Sequence, residues 1–81
     1  MPTVLKLKGY RFFFYSNDHS PIHIHVEKGR STAKVDLETL ELIKSRRFSA
    51  SEIRELRIIV FENKGYFKNK WNEYFSNHKI E

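Results

Sequence analysis

The spacing of apolar residues changes once along this chain and divides it into two differently folded halves. Before Ser49, apolar and polar residues alternate, most strictly over residues 22–27 (IHIHVE) and 33–37 (AKVDL). A period of two indicates strands that bury one face. After Ser49 the apolar residues recur at helical spacing, as Ile53, Leu56, Ile59 and Val60. Strands followed by helices predict an α+β fold.

Short turn sequences separate the predicted strands. Gly9 precedes the aromatic run at residues 10–15 and can supply the positive φ of a tight hairpin. Residues 16–21 and 29–31 are further turns, rich in Ser, Asn, Asp, Gly and Pro. Residues 40–43 (LELI) fit either a fifth short strand or one helical turn, and we prefer the strand. The first half therefore predicts an antiparallel meander of four to five strands.

The start of the first helix is well marked. Ser49 and Glu52 fit a capping box, and the flanking Phe48 and Ile53 have the spacing of a hydrophobic staple. Gly65 is suited to end that helix. A second helix is predicted over residues 66–77, with apolar positions at Phe67, Trp71, Tyr74 and Phe75. The two C-terminal helices are expected to pack on one sheet face.

Composition limits the class of protein. Eighty-one residues are enough for a single domain, 1–81, but a chain this short often self-associates, so a homo-oligomer is possible. Without cysteine there are no disulfides and no thiolate metal sites. No apolar run approaches the ~20 residues of a membrane span, and no apolar leader begins the chain, so we expect a cytoplasmic protein. The net charge of +5 favours acidic or phosphate-rich partners, RNA or DNA among them.

Alternation also predicts a second, functional sheet face. Facing away from the core, it would carry aromatic rings, imidazoles and cations: Arg11, Phe13, Tyr15, His23, His25 and Lys34. Such a surface can stack the bases of single-stranded RNA while its cations follow the phosphates. It can equally form a protein interface through exposed aromatic rings. A third interpretation is that a loop or the second helix covers Phe13 and Tyr15.

The histidines allow two kinds of chemistry. His23 and His25 have a spacing that can hold zinc, with His19, Asp18 or Glu27 as a third ligand. A second, distant ligand pair is missing, so no metal site and no cofactor is predicted. The same imidazoles can act as general base and acid in a metal-independent ribonuclease.

In such a ribonuclease, Arg11 or Lys34 would stabilise the negative charge that develops on the phosphate in the transition state. The simplest interpretation is that both histidines are polar residues of a solvent-exposed face. Whether the protein is an enzyme stays open.

A second basic region surrounds the start of the first helix. It comprises Arg46, Arg47, Arg54 and Arg57, and the amides of a helix N-terminus would add to its attraction for phosphate. Glutamates interleaved along the helix weaken the patch, and a solvated charged face is the alternative interpretation.

Three segments resemble a known family. Residues 2–5 (PTVL), 9–17 (GYRFFFYSN) and 21–27 (PIHIHVE) are similar to the bacterial domain-of-unknown-function family 4160. Residues 48–49 (FS), 52–55 (EIRE) and 71–75 (WNEYF) extend the resemblance over nearly the whole chain.

The resemblance implies a bacterial, cytosolic protein that is often encoded beside another small uncharacterised protein, in the manner of toxin–antitoxin pairs. It implies no catalytic residues. The first prediction of function is therefore a component of a toxin–antitoxin-like module acting through a partner protein from a neighbouring gene. The alternative is an RNA-binding or metal-independent RNA-cleaving domain.

Overall fold

The structure is a computed structural model that describes residues 3–15 and 21–79, with side chains up to residue 75. Within these described residues, five strands precede two helices. They are β1 (Thr3–Leu7), β2 (Tyr10–Phe13), β3 (His23–Lys28), β4 (Ser31–Asp36), β5 (Leu42–Arg46), α1 (Ala50–Glu62) and α2 (Lys64–Lys79). The strands form one antiparallel sheet in the order β1-β2-β3-β4-β5. The predicted α+β fold, a meander followed by two helices, is confirmed.

The strand connections follow from local backbone geometry. Leu7 pairs with Tyr10, and the two residues between them, Lys8 and Gly9, have φ values of 54° and 87°. Positive φ at both positions defines the type I′ hairpin turn, whose twist matches that of the strands. The strand predicted at residues 40–43 begins instead at Leu42. Leu40 has φ of 65°, in the left-handed region, and this interrupts extended backbone.

Helix α1 starts as predicted but does not end as predicted. The Ser49 hydroxyl accepts from the Glu52 amide at 3.2 Å, and the Glu52 carboxylate accepts from the Ser49 amide at 2.9 Å. The prediction that Gly65 ends this helix is wrong, because Gly65 lies in the first turn of α2. Asn63 ends α1 instead, and its side-chain amide donates to the Ile59 carbonyl at 2.9 Å. An end satisfied in this way needs no left-handed glycine.

The core lies between the helices and one face of the sheet, which we call the inner face. Aromatic pairs join the layers: the Phe12 ring stacks on Phe67 at 5.4 Å between centroids, and Phe14 meets Trp71 edge-on at 5.2 Å. The remaining buried residues follow the predicted alternation and helical period, and include Tyr10, Ile24, Val26, Val35, Leu37, Leu56, Ile59 and Val60. The opposite face of the sheet is called the outer face. In the part of the chain that is described, no helix is long and apolar enough to cross a membrane.

Candidate functional site

Cross-strand register assembles the outer face into two rows of side chains. In the first row Phe13 pairs with His25, His25 with Lys34, and Lys34 with Lys44. In the second row Arg11 pairs with Glu27, Glu27 with Thr32, and Thr32 with Arg46. Directly opposed residues lie roughly 5 Å apart, so members of a row are in contact range. The adjacency predicted for Arg11, Phe13, His25 and Lys34 is therefore present.

Phe13 is the buried centre of this face. Phe13 is 4% exposed, although it does not belong to the core of the inner face. The Arg11 guanidinium lies 4.1 Å from the ring centroid, and the His25 ring stacks on it at 5.4 Å. Phe13 thus packs beneath Arg11 and His25, and its ring is not exposed for stacking with a base. The expectation of exposed aromatic rings holds only for Tyr15, which is 43% exposed and meets His25 edge-on at 4.5 Å.

Arg11 is held by partners on both sides. Its Nε donates to Glu27 Oε1 at 3.1 Å, and its Nη1 donates to the Thr3 hydroxyl at 2.9 Å. The ion pair with Glu27 neutralises the guanidinium charge at close range. Arg11 is therefore a fixed cover over Phe13, and the free positive charge of the outer face lies on other strands.

That free charge lines a groove of about 270 Å³, the outer-face groove. Phe13, Tyr15 and His25 line one side, and Lys34, Lys44 and Arg46 line the other. No described carboxylate lines it, and none of the three cations forms an ion pair with a described residue. The groove combines two solvent-accessible rings with three positive charges that form no ion pair with any residue the structure describes.

His23 differs from the expectation of a solvent-exposed histidine. It is 6% exposed, and its ring lies 5.3 Å from Trp71 and 5.0 Å from His25. Its Nδ1 donates to the Pro21 carbonyl oxygen at 2.7 Å, because that oxygen can only accept. Alternation predicted a solvent-exposed ring, but at this end of the sheet Trp71 of α2 contacts the ring. Of the two candidate catalytic imidazoles, only that of His25 lines the groove.

Asp36, which pairs with His23 in the sheet, belongs to the turn that follows β4. Its carboxylate accepts from the Glu38 amide at 2.7 Å and from the Thr39 amide at 2.9 Å. The amide of Thr39, above all, holds the pKa of this carboxyl below its ordinary value, with smaller help from Glu38 and from the charge of His23. The carboxylate therefore holds the β4–β5 turn in place.

A family model described as "Domain of unknown function (DUF4160)" matches residues 9–72. The chain belongs to the DUF4160 family. The match runs from the turn before β2 into α2 and contains every residue of the outer-face groove. The resemblance read from the sequence is thus confirmed. No curated protein and no solved structure matches the chain.

The DUF4160 fold separates the basic residues that the sequence grouped around α1. Arg46 lies in the outer-face groove, opposite Thr32. Arg47 has φ of 70° and ends the strand, so the chain changes direction there. Arg54 and Arg57 are exposed on α1, where Arg57 donates to the Leu40 carbonyl at 3.2 Å. The predicted patch is therefore not one surface in this fold.

Sequence reasoning did not place Lys44 beside the histidines. The signal that links them is the cross-strand pairing of Lys34 with Lys44, which depends on strand register. For metal binding, no group of three potential ligands occurs among the residues that the DUF4160 structure describes. His19 and Asp18, named as possible third ligands, lie outside the described residues, as does the side chain of His78.

Proposed function

We propose that this DUF4160 domain binds single-stranded RNA along the outer-face groove. The observation that supports the proposal is the combination of two solvent-accessible rings, Tyr15 and His25, with three cations that have no ion-pair partner among the described residues. The cations are Lys34, Lys44 and Arg46. Proteins bind single strands by stacking bases on aromatic side chains while cations follow the backbone. The two sides of the groove offer those two interactions a few ångströms apart.

A single strand fits this surface better than a duplex. A base can stack on Tyr15 only if it has left its own stack, and single-stranded segments provide such bases. The outer-face groove, at about 270 Å³, is also smaller than the pockets that enclose a small molecule, which usually measure about 300–1,000 Å³. The surface therefore suits one or two nucleotides of a longer chain.

Electrostatics sets a quantitative expectation. The logarithm of affinity for a single strand falls with log salt by about 0.7 per phosphate contacted, so three cations give a slope of about −2. Affinity should then fall roughly 20-fold between 50 and 200 mM salt. Glu27 lies on the same face, but its charge is engaged by Arg11, so it repels phosphate little.

Fluorescence anisotropy with a labelled single-stranded RNA of about 12 nucleotides tests the proposal, because one small binding fold covers about 4–16 nucleotides. Lys44→Gln/Arg46→Gln should weaken binding about tenfold or more and reduce the salt slope to about −0.7. The matched control is Arg54→Gln/Arg57→Gln, which removes the same charge from α1 and should change affinity less than about twofold.

Equal losses in the two variants would mean that net charge alone attracts RNA, and the groove proposal would fail. The same samples, run on a denaturing gel, report cleavage. Loss of full-length RNA that His25→Ala prevents would extend the proposal from binding to a metal-independent ribonuclease activity.

A second candidate is the toxin–antitoxin-like module that acts through a partner protein. It is favoured by large apolar side chains on the surface of α1, where Ile58 is 53% and Phe61 is 64% exposed. Exposed apolar side chains that adjoin one another mark contact sites. Co-expression with the product of a neighbouring gene should yield one complex in gel filtration, and separate elution of the two proteins would exclude this candidate.

A further inference from the structure

Helix α1 presents a solvent-facing stripe that lies outside the hydrophobic core. Residues 50, 54, 57, 58 and 61 recur at helical spacing and share one side of the helix. The inner side of α1 packs into the core through Leu56, Ile59 and Val60. The stripe therefore lies away from the core. Arg57 is tied to the fold through the Leu40 carbonyl, but burial does not explain the apolar side chains of Ile58 and Phe61.

The stripe borders a shallow groove of about 490 Å³, here named the α1 groove. Its apolar lining comes from Ile53, Ile58 and Phe61 of the helix and from Leu40 of the β4–β5 turn. Ile58 and Phe61 stay more than half exposed, at 53% and 64%. Burying two such side chains on a partner would stabilise a complex through the hydrophobic effect.

Two arginines lie beside these apolar residues. Arg54 and Arg57 line the α1 groove, and neither forms an ion pair with a described residue. The glutamates at this end of α1 have partners elsewhere: Glu55 accepts from Tyr10, and Glu52 from the Ser49 amide. No described carboxylate lines the groove itself, so its own charge is positive, although Glu55 and Glu62 line the adjoining depression that shares Arg54 and Ile58.

We propose that the α1 groove docks an acidic amphipathic helix of a partner protein. The apolar face of that helix would cover Ile58 and Phe61, while its carboxylates would pair with Arg54 and Arg57. Recognition of an amphipathic helix in an apolar groove uses anchors at helical spacing, which matches the spacing of the stripe. Arginine suits the rim because its planar guanidinium binds carboxylates through two hydrogen bonds.

Charge selects this occupant over a second copy of the chain. Two copies meeting through their α1 grooves would bring four guanidiniums together, and like charges in one interface disfavour association. An acidic helix removes that repulsion and replaces it with attraction. The α1 groove also lies on the helical layer, whereas the outer-face groove lies on the far side of the sheet, so the two sites do not share residues.

The test uses two designed helical peptides of about 16 residues, long enough for appreciable helix formation. Both carry leucines at helical spacing, and they differ only in flanking Glu or Lys residues. The 81-residue chain should bind the Glu peptide about tenfold or more tightly than the Lys peptide. Phe61→Ala should weaken the Glu peptide about fivefold or more, as expected for a central aromatic anchor. Phe61 is exposed, so this variant should remain folded.

A charge-reversed variant makes the test sharper. Arg54→Glu/Arg57→Glu should reverse the preference and bind the Lys peptide better, while Lys44→Gln/Arg46→Gln should leave peptide binding unchanged. Equal affinity for both peptides, or no effect of Phe61→Ala, would overturn the proposal. Sedimentation that shows a dimer of the free protein, abolished by Phe61→Ala, would assign the groove to a second copy instead. None of these outcomes depends on RNA binding.

Discussion

The outer face of the sheet and the exposed side of α1 each combine an aromatic ring with arginine, but the ring is buried on the sheet and exposed on the helix. On the sheet, Phe13 is 4% exposed beneath Arg11 and beside His25. On the helix, Phe61 is 64% exposed. Neighbouring strands bring side chains within about 5 Å on a nearly flat surface, where they cover one another. Side chains on the outside of a helix diverge, so rings there stay available to a partner.

The largest effect that would test this contrast is on stability. Phe13→Ala should lower the free energy of unfolding by about 3 kcal/mol, because it removes a buried ring and the contacts of Arg11 and His25 with it. Phe61→Ala should change it by less than about 0.5 kcal/mol, as expected for an exposed residue. Urea unfolding followed by circular dichroism measures both values. Similar losses in the two variants would mean that the rings are not differently buried.

A smaller effect concerns the contact that holds α1 to the sheet. Tyr10 is fully buried, and its hydroxyl donates to Glu55 at 3.0 Å. Burial, then the hydrogen bond and the charges of Glu55 and Glu52, raise the pKa of Tyr10 to about 12. The unfolded chain ionises this phenol near pH 10. The stability that Tyr10 contributes is therefore complete below pH 10 and is lost as the pH rises toward 12, by between about 2 and 3 kcal/mol in all.

Tyr10→Phe is the matched variant for that measurement. It should cost about 1 kcal/mol at pH 7 through the lost hydrogen bond. It should also remove the alkaline loss of stability relative to the original protein. The difference between the absorbance titrations of the two proteins near 295 nm should show one phenol that titrates at about pH 12. A difference curve centred at pH 10 would contradict the assignment.

The smallest effect separates the charge of the outer face from its packing. Glu27→Gln should free the Arg11 guanidinium and raise affinity for single-stranded RNA about fivefold, with a salt slope steeper by about 0.7. The cost in stability should stay below about 1 kcal/mol, because the ion pair is partly exposed. Glu62→Gln, which removes an equal charge from α1, serves as the control. If both variants raise affinity alike, Arg11 gains no contact with phosphate.

Local signals predicted most of this fold. Each depends on neighbours in sequence: the Gly9 hairpin turn, the Ser49 capping box and the alternation that places Phe12 and Phe14 in the core. The prediction that Gly65 ends α1 was wrong because the Asn63 side-chain amide caps the helix by donating to the Ile59 carbonyl. A competing cap of that kind is hard to distinguish from a glycine cap in sequence alone.

The candidate site was only partly predictable, because it depends on contacts between distant residues. Alternation correctly grouped Arg11, Phe13, Tyr15 and His25 on one face. It did not show that Trp71 would bury His23, since that contact joins β3 to α2. Nor did it show that Arg46 lies in the outer-face groove with Lys34 and apart from Arg54, because that depends on the register between β4 and β5.

The meander order of the sheet also has a kinetic consequence. Every strand pairs with its neighbour in the chain, so sheet formation closes only short loops and should be fast. Docking of the helices is different, because Tyr10 meets Glu55 and Phe12 meets Phe67 across long stretches of chain. During synthesis, all five described strands precede the helices that cover the apolar face of their sheet. We therefore expect the docking of α1 and α2 to be the slower and more aggregation-sensitive step of folding.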